Sequence, residues 1–196
     1  TKDKLPILYE LLDDDEYAPY WHRVVRAIGY VSDDPDSVNV LLNYIQRNDN
    51  EKLDRDNYLS KPTAFFVLGF IGGDMADSIL RKGITKEGAR ELTKDWIDEP
   101  LPETVDTARM IRNIQQYSIR GLAASGKPEN LALVEKLYNE QKEISIKNNE
   151  MTELMGNLID AMATKDYIAE VGLENAMNSN PTSIRPYLIK YRFDLG

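Results

Sequence analysis

The stretch AIGYVSDDPDSVNVLLNYI, residues 27–45, sets a glycine near the end of one apolar run, then an acidic break containing proline, then a second apolar run. In the first run Trp21, Val24, Val25, Ile28 and Val31 recur at helical spacing, and in the second Val38, Leu41, Leu42 and Ile45 do the same, so each has one apolar face. Within the break, Asp33 or Asp34 can accept from the free N–H groups that open the second helix, and Pro35 suits its first position. The stretch therefore reads as a helical hairpin.

The hairpin recurs. Gly69 in TAFFVLGFIGGDMADSIL lies 40 residues after Gly29, and Gly121 in SIRGLAASGKPENLALVEKL lies 52 after Gly69. Ala161 in LIDAMATKDYIAEVGL lies 40 after Gly121. A small residue at this place lets two helix backbones approach at their crossing, where a large side chain would hold them apart. Gly72 and Gly73 read as the end of one helix and Asp74 as a cap of the next; Gly126 ends another before Pro128 starts its successor. Thr85 is placed to cap a short helix that turns Leu92 and Trp96 inward. Residues 46–59 read as a polar connection, DEPLPE (98–103) as a break, and Pro181 as a helix start whose continuation Pro186 opposes. Period-two alternation of Val, Ile and Thr does not occur, so the expected fold is all-α, without a sheet.

Paired helices with a period near 40 residues fit the helical-repeat solenoids. The four segments built around Gly29, Gly69, Gly121 and Ala161 resemble HEAT repeats and the related armadillo and bilin-lyase-type HEAT-like repeats. The resemblance implies a right-handed α-solenoid (an α–α superhelix) of about four hairpins with a leading half repeat. One domain over residues 1–196 is expected, with pairs near 17–46, 60–97, 104–140 and 148–178, an N-terminal helix at 4–12 and a tail at 181–196. An irregular helical bundle with coincident spacing is the alternative.

Composition bounds the chemistry. The net charge is −9, from 24 basic and 33 acidic residues, and residues 1–98 carry 13 and 19 of them. Neither half offers the positive field that a phosphate backbone requires, so nucleic acid is not expected as a partner. Cysteine is absent, which removes disulfides and thiolate chemistry. No apolar run has membrane-spanning length. The opening TKDKLP suits either a mature exported chain or a trimmed boundary, and leaves cytoplasm and export after leader removal both open.

His22, the single histidine, sits off the apolar face beside Arg23 and Arg26, and one histidine makes neither a His-based metal site nor, without a nucleophile elbow, a triad. The His–Glu pairs by which HEAT-like deoxyhypusine hydroxylases hold iron do not occur here. The dense carboxylates of 13–16 and 33–36 fall at expected turns, where solvated acids cap helices. NDNEKLDRD (48–56) has alternating oxygen ligands but lacks the glycine and the distal glutamate of a calcium loop. No catalytic residue, metal or cofactor is assigned. Tyr17 and Tyr20 are expected to pack against helix 4–12, with an exposed binding patch as the alternative.

Solenoids of the resembled kind present a concave surface built from the second helix of each pair. The solvent sides of those helices carry Asn39, Asn43 and Gln46, then Glu135, Lys136 and Asn139 on helix 128–139, then Glu170 and Glu174 on helix 166–178. Amide and charged side chains in a row can bind an extended peptide or a helix. The expected function is a non-enzymatic protein-interaction or scaffold module, whose net charge steers basic partners toward it. The alternatives are a bilin-lyase-like or other small-molecule-handling subunit with a pocket in the concavity, and a structural subunit whose end helices dock a partner chain.

Overall fold

The computed structural model describes residues 2–32, 34–101, 105–172, 175–176, 184–193 and 195, and the described residues form helices and turns without strands. The chain divides into two compact units, residues 1–121 and 122–196.

The first unit holds α1 (Leu5–Asp13), a 3-10 turn (Asp15–Tyr20), α2 (Trp21–Val31), α3 (Asp36–Gln46), α4 (Ser60–Ile71), α5 (Asp74–Gly83), α6 (Lys86–Leu92) and most of α7 (Thr107–Ala124). The breaks follow local chemistry. Between α2 and α3, Asp34 Oδ1 accepts from the Asp36 N–H at 3.0 Å and the Ser32 and Ser37 hydroxyls pair; Asp33 lies outside the described residues. Gly72 and Gly73 take φ of 74° and 91°, conformations that L side chains rarely adopt, and so stop α4. Asp74 and Asp77 occupy the first turn of α5 and Arg81 and Lys82 its last, in the sense that complements the helix dipole. The Thr85 hydroxyl accepts from the Gly88 N–H at 3.0 Å and caps α6, with Leu92 and Trp96 buried beyond it.

Glycines set the packing of this unit. A Cβ on Gly29 of α2 would meet Val67 Cγ1 of α4 at 2.8 Å. On Gly69 of α4 it would overlap the Gly121 carbonyl of α7, and on Gly121 it would meet the Phe65 carbonyl at 2.7 Å. The helices α4 and α7 thus approach backbone to backbone at a distance that only missing side chains permit, while α2 packs on α4 with Gly29 against the Val67 side chain. Trp21, Val25 and Ile28 of α2 are buried with Leu41 and Ile45 of α3 and Phe65 and Leu68 of α4 in the core of this unit.

In the second unit, α8 (Pro128–Asn148) and α10 (Arg185–Tyr191) both pack on α9 (Met155–Val171). Gly126, at φ 66°, follows the end of the preceding helix and Pro128 opens α8, as the sequence suggests. The helix runs past its expected end near residue 139 and stops at Asn149, in the left-handed region at φ 52°. Of the expected second helix at 166–178, residues 166–171 belong to α9, and residues 173–174 and 177–178 lie outside the described residues. AMATKDYIAEV contains neither glycine nor proline, and α9 continues through it to Gly172, whose φ of 82° ends the helix. Buried Met155, Leu158, Ala161 and Met162 of α9 make the core of this unit with Val134 and Tyr138 of α8. Pro186 stands in the first turn of α10, where its missing N–H is tolerated; Pro181 lies outside the described residues.

Candidate functional site

On α3, Asn39 and Asn43 are exposed and Gln46 is half-buried at the end of the helix. The remaining expected residues belong to the second unit. Glu135 of α8 pairs with Lys165 of α9, and Lys136 forms an exposed ion pair with Glu140 one turn on, at 3.8 Å. Asn139 is exposed, and the carboxylate of Glu170 accepts from the Tyr187 hydroxyl. Glu174 lies outside the described residues. Of the charged members, Glu135, Lys136 and Glu170 are thus engaged within the chain.

Sequence reading missed a buried polar cluster at the C-terminal end of α3. The last carbonyls of a helix have no intrahelical partner. Here the Tyr44 and Arg47 carbonyls both accept from Lys61 Nζ of α4, each at 2.6 Å, and the Ile45 carbonyl accepts from Trp96 Nε1 at 2.7 Å. Lys61 is fully buried. Its third contact is the carboxylate of buried Asp49 at 3.3 Å, and its ammonium stands over the Tyr44 and Trp96 rings at 4.7 and 5.2 Å. A cation against the negative end of the helix dipole, with a carboxylate and two π faces around it, replaces much of the lost hydration.

Arg47 extends the cluster. Its Nε donates to Asp49 at 2.7 Å, Nη1 to Asp13 at 2.7 Å and Nη2 to the Leu12 carbonyl at 2.9 Å, so it also caps α1. Asn50 donates to the Trp96 carbonyl at 2.9 Å, and Asn57 donates to the carbonyls of Ala18 and Lys52. Within the stretch read as a polar connection, Asp49, Asn50 and Asn57 are turned inward and buried, whereas Asn48, Glu51, Asp54, Arg55 and Asp56 are exposed. Burial draws the Lys61 ammonium down to about 8, against the pull of Asp49, and pushes the Tyr44 hydroxyl far above its ordinary value. With its donors occupied and no surface in water, Lys61 ties elements together.

The exposed residues differ in character. Tyr17 and Tyr20, expected to pack on helix 4–12, are 40% and 51% exposed. Tyr30 is also exposed, as are Arg23 and Arg26. Arg23 stacks over Tyr20, 5.7 Å from the ring centroid. His22 is half-buried, and burial together with Arg23 and Arg26 lowers its pKa. Ile7 on α1 and Ile189 on α10 stand 56% and 70% exposed.

None of the protein-family models, curated proteins or solved structures matches this chain. No described helix is long and apolar enough to cross a membrane.

Proposed function

We propose that the chain is a non-enzymatic protein-interaction module: a right-handed α-solenoid of HEAT-like hairpins that presents helical surfaces to a protein or peptide. The observation that carries this reading is the side-by-side approach of α2, α4 and α7 at Gly29, Gly69 and Gly121, as successive repeats of a helical stack require. Exposed Asn39 and Asn43 on α3 supply a polar surface on a second helix of that stack. The cluster around Lys61 suits a scaffold, since it fixes helix ends with side chains and leaves the outer faces to partners.

The test is affinity capture from the source lysate with wild type and an Asn39→Arg, Asn43→Arg variant, both checked for helicity by circular dichroism. Each retained protein is identified and re-bound in purified form. A protein bound by wild type and lost by the folded variant supports the reading. Retention of small coloured or lipid-like molecules alone would overturn it in favour of a pocket.

A further inference from the structure

The charge of the first unit is segregated by helix. Acidic residues make up 33 of 196, roughly one in six. Yet α2, α4 and α7, of 11, 12 and 18 residues, contain no aspartate or glutamate. Burial accounts for this in α4, most of which is core. It does not account for α2 and α7, whose exposed positions are open to either charge and hold Arg23, Arg26, Arg109 and Arg112 beside uncharged Tyr30 and Ala108.

These three helices are neighbours through Gly29, Gly69 and Gly121. The 40-residue step that relates Gly29 to Gly69 also relates Arg26 to Phe66 and Tyr30 to Phe70. Phe66 and Phe70 are half-exposed and meet edge to face at 4.7 Å. From α7, half-exposed Arg120 stands over Phe66 at 5.0 Å and over Tyr117 at 5.7 Å. Among the described residues no carboxylate pairs with Arg23, Arg26 or Arg120, and Arg120 Nε is buried without a partner. In a chain of net charge −9, three guanidinium groups on acid-free helices with no carboxylate partner among the described residues are not general solvation.

We infer that α2, α4 and α7 form a docking face for an acidic, amphipathic peptide segment of a partner protein. Its carboxylates pair with Arg23, Arg26 and Arg120, and its apolar side chains rest on the Phe66, Phe70 and Tyr117 rings. Guanidinium groups suit this task because their planar forks take carboxylates bidentately and stack on aromatic rings. Aliphatic anchors one or two turns apart are how a helical segment engages such a surface. A nucleic acid fits less well, since the rest of the molecule would repel a continuous phosphate backbone. The inference rests on the interaction-module reading and reverses the basic partner that net charge alone suggests.

The test is fluorescence anisotropy with a labelled helical peptide of about 18 residues (about 27 Å of helix), with Leu on one face and Glu on the flanks. Its Lys-for-Glu counterpart and a labelled oligothymidylate are run beside it. The Glu peptide is expected to bind at micromolar concentration and more tightly than either. Arg23→Glu, Arg26→Glu should weaken it about tenfold. Arg55→Glu, Lys94→Glu, an equal charge change at exposed positions on other elements, should change it less than about twofold. Arg23→Gln, Arg26→Gln serves if the reversal disturbs the fold, and Arg120→Gln extends the test to α7. The inference is overturned if the Glu peptide binds no tighter than the Lys peptide or the oligothymidylate, or if the two charge reversals act alike. Those results, alongside a lysate protein lost on Asn39 and Asn43 substitution, would leave the module reading standing and remove only this face.

Discussion

Lys61 Nζ lies 3.3 Å from Asp49 Oδ2 with both side chains shut off from water, and the same ammonium donates to the last carbonyls of α3. Two opposed costs follow from that arrangement. Burying the pair is expensive, but removing one partner leaves the other buried and uncompensated. Asp49→Ala is therefore expected to destabilise the protein by about 3–5 kcal/mol in urea titrations. Lys61→Met should be milder, since Arg47 still neutralises Asp49 and the loss is two carbonyl partners, about 1–3 kcal/mol. The double variant should be more stable than the sum of the single changes implies; strict additivity would show that the pair is not coupled.

The same lysine gives stability a dependence on alkaline pH. Its folded value of about 8 lies below the ordinary 10.5, so between these pH values the unfolded chain binds more protons than the folded one. Stability should rise with pH through this window, by about 2–3 kcal/mol if Lys61 acted alone. Tyr44 has the opposite sign: its folded pKa is raised, so the folded chain keeps a proton that the unfolded chain loses above about 10, and stability should fall there. Urea midpoints from pH 7 to 11 should show a maximum near 10. Lys61→Met should lack the rising limb, and a rise that persists in this variant would contradict the assignment.

Glycine substitutions separate close backbone approach from mere helix ends. Alanine at Gly69 would overlap the Gly121 carbonyl, which cannot move without shifting α7, and should cost about 3 kcal/mol or more. Alanine at Gly29 meets a methyl group of Val67 and gains about 1 kcal/mol of helix propensity, so its net effect should be near zero to about 1 kcal/mol. Thermal melts of the two variants test this order.

In the second unit Asp166 ties α10 to α9, beside the bond from the Tyr138 hydroxyl to the Tyr191 carbonyl. The carboxylate accepts from Tyr191 Oη at 2.6 Å and Lys190 Nζ at 2.5 Å, and although burial works the other way, these bonds hold its pKa below the ordinary value. A seven-residue helix does not persist alone. Asp166→Ala should speed hydrogen exchange of the α10 amides at least about tenfold and leave that of α9 little changed. Unchanged exchange in α10 would show that Tyr138 and the apolar contacts suffice.

The parts of the fold carried by neighbouring residues were legible. Gly72, Gly73 and Gly126 end helices, Thr85 caps one and Pro128 starts another, because each acts within a turn of itself. Gly29, Gly69 and Gly121 were legible through their spacing. The Lys61 cluster was not: Asp49, Asn50 and Lys61 look like a solvated loop and a helix start until Tyr44 and Trp96 are placed around them. The continuous α9 was misread because a hairpin was expected where the sequence has no breaker. The acid-free character of α2, α4 and α7 stands in the sequence, but charge counted by halves of the chain averages it away.

The packing of α4 against α7 underlies both the proposed stack and the proposed arginine face. The most direct test is a nuclear Overhauser spectrum of the isotopically labelled chain, read for contacts between Gly69 and Gly121. A strong cross-peak between their α-protons is expected, since the Gly121 Cα lies only 2.8 Å from where a Gly69 Cβ would stand. With both residues assigned, the absence of any cross-peak between them would contradict the account.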